Sequence, residues 1–329
     1  MPGTGPRILL TGATGFIGQR LFGALDARGY RVRCASRDPA RARRRWPERD
    51  WVALDVEGGA SLAAAVEGCD SAYYLVHGMA GGAGDYRQHE LAAAHRFREA
   101  AATARLHRIV YLGGVAPRQE GSRHLESRLA VGAALRGGVV PAIELRASMV
   151  VGYGSLSWQI VRDLAARLPG MVLPRWLRSR TQPIAVDDVV LGLTRALEVS
   201  APGPACYDLP GPETLSGEEI LRRTAQLLGL RSPVMVHVPF LSPWLSSHWV
   251  RLVSRADWNV AREIVVGLKE DLLARDDAFW SLIAGPPRLG FAEAARRAIA
   301  EERGQPPPTG FWGAEERLVA RLHRDRTLA

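Results

Sequence analysis

The sequence predicts an α/β protein with a doubly wound parallel sheet and a smaller C-terminal lobe. Through about residue 200, short apolar runs alternate with amphipathic helical segments, the pattern of a parallel sheet covered by helices. A glycine-rich turn joins the first apolar run to the first helix. Two Pro-Gly-Pro turns, at 202–204 and 210–212, then mark the passage into a different, mostly helical segment. Together these features predict a Rossmann-type fold.

The glycine-rich turn lies between the apolar residues 8–10 and a helix with Ile17 and Leu21 on its apolar face. Its three glycines follow the spacing G-x-x-G-x-x-G. One allows a tight turn, one lets a pyrophosphate approach the backbone, and one lets the helix pack closely on the strand. The N–H groups at the helix start would face the phosphates. We therefore predict a dinucleotide-binding turn formed by Gly12, Ala13, Thr14, Gly15, Phe16, Ile17 and Gly18.

The end of the second predicted strand, residues 30–37, bears on the choice of cofactor. NAD-selective sites usually carry an acidic residue there to bind the ribose 2′-hydroxyl. This strand ends with Ser36 and Arg37, and the first carboxylate is Asp38. A guanidinium can pair with a 2′-phosphate, which a carboxylate would repel. We predict NADP(H) as the preferred cofactor, with NAD(H) as the alternative. Arg37 could instead belong to a solvated basic face, because more arginines follow at 41–49.

The next two strands are predicted to end beside the same ligand, because ligands of parallel sheets bind at the carboxyl ends of the strands. Asp55 ends the third strand together with Val56 and could accept from the adenine amino group. The fourth strand, residues 71–78, ends with Val76, His77 and Gly78. His77 is either a pocket residue or a plain strand-end residue.

Composition argues against several other functions. The net charge is +9, but a single lysine, Lys269, stands among 43 basic residues, which indicates a coding bias towards arginine rather than a nucleic-acid surface. We expect no nucleic-acid partner, whereas peripheral contact with an anionic membrane or a partner subunit stays open.

Three scattered cysteines suit reduced thiols. We expect no bound metal, because Ala93 stands where a zinc helix starting at His89 would need its second histidine. Without a signal peptide or a long apolar run, we expect a cytoplasmic protein.

Several segments resemble the short-chain dehydrogenase/reductase superfamily in its extended or atypical branch. They are the glycine motif at 11–18, the pair Asp55-Val56, the fifth and sixth strands at 108–114 and 144–147, and the segment 182–189. Residues 124–128, 174–176 and 245–249 are more similar to bacterial NAD(P)H-binding proteins related to the nucleotide-binding accessory subunit of respiratory complex I. The resemblance spans roughly residues 6–303. It implies that Gly113 and Ala147, at the ends of their strands, contact the cofactor.

The chain departs from this superfamily at the catalytic residues. Active members use a tyrosine that exchanges a proton with the substrate and a lysine four residues later that lowers the tyrosine pKa. None of the seven tyrosines here is followed by lysine or arginine at that spacing. The matching positions hold His124 and Arg128, and the superfamily's serine position reads Gly113-Gly114.

Two hypotheses follow from this departure. In the first, the chain is an oxidoreductase with an altered active site, in which His124 and Arg128 are catalytic and hydride passes to an apolar carbonyl or quinone-like substrate. Histidine titrates near neutrality, whereas arginine stays charged and could only bind or orient. In the second, the chain binds NADPH without turnover and serves as a redox sensor, assembly factor or accessory subunit. A sugar-nucleotide epimerase ranks third, because it would need the missing tyrosine and lysine.

We predict three regions: a dinucleotide-binding domain at 6–200, a substrate or lid lobe at 201–303, and a Pro-rich break with a short helix at 304–329. Residues 216–219 predict the N-terminus of the lobe's first helix, with Ser216 as the cap and Glu219 completing a capping box. Tryptophans at 244, 249, 258 and 280 predict a lid over the substrate cleft or an apolar surface for a substrate or partner. Ser155, Ser157 and Trp158 are candidates for a substrate wall.

Overall fold

The computed structural model describes residues 5–56, 59–76, 86–117, 122–167, 170–200, 203–230, 234–238, 270–283 and 285–306. Its strands, in chain order, are β1 (Arg7–Leu10), β2 (Arg31–Ser36), β3 (Asp50–Ala53), β4 (Ser71–Tyr74), β5 (Arg108–Gly114), β6 (Ala142–Ala147), β7 (Val150–Val151), β8 (Gly170–Pro174), β9 (Arg180–Thr181), β10 (Ile184–Ala185), β11 (Ala205–Asp208), β12 (Leu215–Ser216) and β13 (Val234–Val238). Its α-helices are α1 (Phe16–Asp26), α2 (Pro39–Arg45), α3 (Gly59–Val66), α4 (Tyr86–Thr103), α5 (Arg123–Arg136), α6 (Leu156–Arg167), α7 (Val186–Ala196), α8 (Gly217–Leu227), α9 (Ala278–Leu282) and α10 (Phe291–Arg303). A 3₁₀ turn covers Arg175–Arg178.

Seven parallel strands form the central sheet in the order β11-β6-β5-β4-β1-β2-β3. This arrangement confirms the predicted Rossmann-type α/β fold. The strand order reverses between β1 and β4, so the crevice at their carboxyl ends is where such sheets bind ligands. Several strands are shorter than the apolar pattern suggests. The fourth, for example, ends at Tyr74.

Side chains alternate between the two faces of the sheet, and each face is covered by its own helices. Leu10, Val110 and Ile143 belong to one buried cluster, which also contains residues of α1 and α7. Leu9, Ile109 and their neighbours belong to a second cluster, with residues of α3, α4 and α5. Both faces are therefore apolar, as a doubly wound sheet requires.

A third buried cluster brings together α6, α8 and α10 beside the short pair β7–β10. Trp158, on α6, is 2% exposed and packs edge-to-face against Phe291 of α10. The predicted capping box is confirmed, since Ser216 Oγ accepts from Glu219 N and the Glu219 carboxylate accepts from Ser216 N. Because α6 precedes residue 200, this part of the core draws on both of the regions predicted from sequence.

Candidate functional site

The glycine-rich turn between β1 and α1 can hold only glycine at two of its three positions. Gly12 has a φ of +64°, and a Cβ atom on it would lie 2.4 Å from the carbonyl oxygen of Leu75. A Cβ atom on Gly18 would lie 2.2 Å from the carbonyl oxygen of Gly12. The first glycine therefore lets the turn approach the end of β4, and the third lets α1 begin directly against the turn.

The second glycine leaves the start of α1 open. Gly15 is the N-cap of the helix and gives no side-chain cap, and both Gly15 and Thr14 are exposed. Gly15 N donates to Gly12 O at 2.9 Å, and the first turn-closing bond of the helix runs from Gln19 N to Gly15 O at 3.0 Å. The N–H groups of residues 16–18 precede that bond, so they are the unsatisfied donors of a helix N-terminus. Such a terminus binds phosphate groups.

Thr11 joins the two strands at the reversal point of the sheet, a role that the predicted site did not include. Its buried hydroxyl donates to Tyr73 O at 2.9 Å and accepts from Leu75 N at 2.8 Å. The carboxyl ends of β1 and β4 are thereby fixed to each other beneath the glycine turn. The sequence signal was a threonine directly before the first glycine of the motif.

The turn also contacts the segment after β7. Added Cβ atoms on Gly152 and Gly154 would lie 3.3 and 3.2 Å from the Phe16 ring, and Gly154 has a φ of +90°. The Arg20 guanidinium lies 4.7 Å from the centre of that ring and donates to Tyr153 O at 2.8 Å. The loop at 152–154 is therefore packed against the first residue of α1.

At the end of β2, the nearest carboxylate already has a structural task. Asp38 is the N-cap of α2, and its Oδ1 accepts from Arg41 N at 2.8 Å. Ser36 Oγ accepts from Asp38 N at 3.2 Å, which shapes the turn. The Arg37 side chain is exposed and makes no hydrogen bond or ion pair with the residues that the structure describes. A guanidinium thus stands where NAD-selective sites place a carboxylate.

The other predicted cofactor contacts on β3 and β4 lie at the same edge of the sheet. After β3, Asp55 N donates to Ser61 Oγ at 3.0 Å, so the Asp55 backbone is fixed. Val56 O accepts from Arg96 Nε at 3.3 Å. Val76 is half-buried after β4, while His77 and Gly78 lie outside the described residues. Since the strands are parallel, the described members of this set share an edge with the glycine turn.

Gly113 and Gly114, which are predicted to stand at the superfamily's serine position, lie close to side chains of β6 and α5. A Cβ atom on Gly113 would lie 2.8 Å from Glu144 Oε1, and one on Gly114 would lie 2.6 Å from Leu125 Cδ1. Gly114 pairs with Ala147 across β5 and β6, so both residues lie at the carboxyl edge. A side chain at either position would therefore displace the end of the Glu144 side chain or of the Leu125 side chain.

His124 and Arg128 lie in the first half of α5, which Ser122 caps through its hydroxyl and Leu125 N. Arg128 Nη2 donates to Leu112 O at 3.0 Å, and Tyr111 donates through its hydroxyl to Arg128 O at 3.1 Å. Burial and the neighbouring Arg128 guanidinium lower the pKa of His124 to about 4. His124 is therefore a neutral imidazole at pH 7 and holds no imidazolium proton to donate. Burial raises the pKa of Tyr111 to about 12.

Two of the residues considered for a substrate wall have structural roles. Ser155 is buried, donates to Val150 O at 2.7 Å and accepts from Trp158 N at 3.4 Å. Trp158 lies in the core.

Across the described ranges, no three His, Cys, Asp or Glu side chains form a metal-binding group. No α-helix among these residues is long and apolar enough to cross a membrane.

Comparison with known proteins agrees with this geometry. Residues 12–165 match a family model described as NAD(P)H-binding. No protein with a curated description matches the chain significantly.

Solved structures share the fold along nearly the whole chain. The crystal structure of gox2253 is 23% identical, with a TM-score of 0.70, 91% of this chain covered and 99% of that chain. The triphenylmethane reductase of Citrobacter sp., complexed with NADP(H), is 18% identical with a TM-score of 0.68, and 89% and 99% of the two chains are covered. MoeE5, in complex with UDP-glucose and NAD, is 20% identical with a TM-score of 0.65 and coverage of 90% and 98%.

These similarities agree with the glycine turn, the strand order and the exposed start of α1. Residues 12–165 therefore resemble an NAD(P)H-binding family, and the chain as a whole shares the Rossmann-type fold of these solved structures.

Proposed function

We propose that the protein binds NADPH in preference to NADH and transfers hydride to an apolar acceptor without side-chain acid catalysis. The observation that carries the preference is the end of β2. Arg37 has no partner among the described residues, and Asp38 is already the cap of α2. A free guanidinium favours a 2′-phosphate through paired, charge-assisted hydrogen bonds. The Citrobacter reductase, whose fold is similar, was crystallised with NADP(H).

The glycine turn fits a dinucleotide on structural grounds. Gly15 has no side chain to cover the N–H groups of residues 16–18, so the pyrophosphate would lie against the start of α1. Asp55 would face the adenine side, with Gly113 and Ala147 towards the nicotinamide side. NADPH, when bound, supplies the hydride. The chain's own residues hold it, keep the strand ends together through Thr11 and orient it against the 152–154 loop.

The structure of the α5 region decides which acceptor we favour. Because His124 is neutral at pH 7 and positions 113 and 114 are glycines, none of these residues supplies an acidic side chain to protonate a carbonyl oxygen in the usual way. A quinone or a delocalised cation takes up hydride at an electron-poor carbon without simultaneous protonation. A reduced quinone would gain its proton from water afterwards. In this proposal His124 and Arg128 orient the acceptor and the nicotinamide end.

A second candidate function is binding of NADPH without turnover, as in a redox sensor or accessory subunit. It is favoured by the contact of Leu125 with Gly114, which fills the serine position by packing. The two candidates share the nucleotide site and differ only in turnover. A sugar-nucleotide epimerase is disfavoured because it would need the tyrosine and lysine that are missing from the sequence.

The nucleotide preference is tested by titrating the purified protein with NADPH and with NADH. We expect tighter binding of NADPH in the wild type, and a loss of about tenfold or more in NADPH affinity for Arg37→Ala with NADH affinity unchanged. Arg44→Ala is the matched control. Arg44 lies on α2, is exposed like Arg37, and likewise makes no side-chain bond with the described residues. Equal weakening in both variants would contradict a specific role for Arg37.

Turnover is tested by following NADPH consumption with menadione, a quinone, and malachite green, a triphenylmethane cation. We expect oxidation of NADPH with at least one of these acceptors and none with simple ketones. His124→Gln should change the Michaelis constant for the acceptor more than the turnover number, since the imidazole gives no proton. Tight NADPH binding with no oxidation by any acceptor would establish the second candidate instead.

A further inference from the structure

A cavity lies at the β11 edge of the sheet, outside the predicted nucleotide site. Its volume is about 390 Å³, within the range of small-molecule pockets. Its charged lining residues are Arg136, Arg146, Asp208, Arg275 and Asp276. Arg136 lies eight residues beyond Arg128 on α5, so the cavity begins about 12 Å along the helix from the predicted nicotinamide side.

A buried carboxylate holds two of these arginines in place. Glu144, on β6, is 1% exposed. Its Oε2 accepts from Arg136 Nε at 2.8 Å, and its Oε1 accepts from Arg146 Nε at 2.8 Å. Arg146 Nη2 adds a longer bond of 3.3 Å to Oε2. Both carboxylate oxygens therefore accept hydrogen bonds, and these bonds fix the orientation of the two guanidinium groups.

Two glycines make room for this carboxylate. A Cβ atom on Gly132 would lie 2.4 Å from three atoms of the Glu144 carboxyl group, and one on Gly113 would lie 2.8 Å from its Oε1. The helix and the strand thus come together only because both positions lack a side chain. A buried carboxylate in such a fitted space gives its arginine partners fixed positions.

The free hydrogen-bonding capacity of the cavity consists mainly of donors. Arg136 uses only Nε, and the Arg275 side chain bonds to no residue that the structure describes. Each of the two carboxylates accepts one hydrogen bond from a backbone N–H group. Asp208 accepts from Arg275 N at 2.8 Å, and Asp276 accepts from Ala278 N at 3.0 Å. Arg146 is only 9% exposed, yet it lines the cavity.

We propose that this cavity binds the oxyanion group of a small molecule, a carboxylate or a phosphate monoester. Planar guanidinium groups are the side chains best suited to such groups, and Glu144 fixes the orientation of those of Arg136 and Arg146. The Asp208 carboxylate lies in the same cavity and opposes an anion. Removing the Asp208 charge should therefore strengthen anion binding. Neither a cation site nor a cleft without charge selectivity would respond in this direction.

The test is a calorimetric titration of NADPH-saturated protein with inorganic phosphate and, separately, with malonate. Saturation with NADPH is meant to cover the start of α1, where phosphate would also be expected to bind. We expect saturable binding of at least one anion, and the two arms distinguish a phosphate from a carboxylate ligand. Arg275→Gln should weaken binding about tenfold, because it removes one guanidinium group from the cavity. Since Arg275 is exposed, the substitution leaves the fold intact. Arg44→Gln, at the opposite edge of the sheet, should leave it unchanged.

Asp208→Asn gives the opposite sign. The amide oxygen can still accept from Arg275 N, so the local structure is kept while one negative charge is lost. We expect this variant to bind the anion several-fold more tightly. The proposal is overturned if neither anion binds saturably, if Arg44→Gln weakens binding as much as Arg275→Gln, or if folded Asp208→Asn binds more weakly. If the protein does not bind NADPH, the nucleotide-free protein is titrated and only binding that depends on Arg275 is counted.

Discussion

The carboxyl group of Glu144 occupies the space that a side chain on Gly132 would need. An added Cβ atom on Gly132 would lie 2.4 Å from its carbon and from both of its oxygens. Gly132 is buried in α5, and Glu144 is buried in β6. The distance between helix and strand is thus set by a charged group and not by apolar packing alone, which makes this contact sensitive to one methyl group.

Gly132→Ala should therefore destabilise the protein, although alanine favours helices. The overlap with Glu144 forces the carboxylate or the helix to move, at a cost of at least about 2 kcal/mol. Gly23→Ala is the matched control, because Gly23 lies in α1 with no atom within 4 Å of an added Cβ. That variant should gain about 0.5–1 kcal/mol from helix propensity. Urea unfolding of both variants measures the difference, and a stabilised Gly132→Ala would contradict the contact.

Glu144→Gln should cost more than the removal of an exposed carboxylate. It leaves Arg136 and Arg146 without their shared counter-ion inside the protein, for which the expected loss is about 3 kcal/mol. Glu48→Gln is the comparison, since Glu48 is 59% exposed in its ion pair with Arg49. Its loss should be within about 0.5 kcal/mol. The free energy of unfolding in urea separates the two, and equal values would mean that the buried cluster contributes no more than a surface pair.

The glycine turn and the capping box of α8 could be predicted because their signals are local. Gly12 and Gly18 each have a backbone requirement that shows as a fixed spacing, and Ser216 with Glu219 forms a capping box within four residues. The Glu144 cluster could not be predicted, because Arg136 and Gly132 meet it only through the packing of α5 on the sheet. Its members are ordinary residues of a helix and a strand in the sequence.

The closure of the serine position likewise depends on distant residues. The sequence predicts that Gly113 and Gly114 stand at the serine position, but only the fold shows that Leu125 and Glu144 lie beside them. The same is true of His124, whose residue type predicts titration near neutrality while its burial beside Arg128 lowers the pKa to about 4. Ser155 was considered for a substrate wall, whereas its hydroxyl caps α6.

The second and third glycines of the turn should respond differently to alanine. Gly15→Ala adds a Cβ atom 3.2 Å from Gly12 O, a contact that small shifts relieve, so its stability should fall by no more than about 1 kcal/mol. NADPH affinity should nevertheless fall at least about tenfold, because the methyl group covers the start of α1. Thermal unfolding and nucleotide titration of the same sample measure both effects.

Gly18→Ala serves as the comparison for this prediction. Its Cβ atom would lie 2.2 Å from Gly12 O and 2.9 Å from Ala13 Cα, so the whole turn has to move. We expect a stability loss of about 2 kcal/mol or more. If Gly15→Ala retained full NADPH affinity, the pyrophosphate would not lie at this helix start, and the binding model would need revision.

His124 should make the stability of the protein depend on acidic pH. Its pKa is about 4 in the folded chain and near 6.5 when unfolded, so below pH 6.5 the unfolded state takes up a proton that the folded state does not. The neutral imidazole therefore contributes fully to the free energy of unfolding above pH 6.5. This contribution, about 1–3 kcal/mol, is lost as the pH falls towards 4. His124→Gln should remove this part of the pH dependence between pH 7 and pH 5, while His107→Gln, at an exposed position, should keep it. Urea unfolding at both pH values tests this prediction, since identical pH dependence in wild type and His124→Gln would show that folding does not lower the imidazole pKa, so that His124 could serve as an acid near neutral pH.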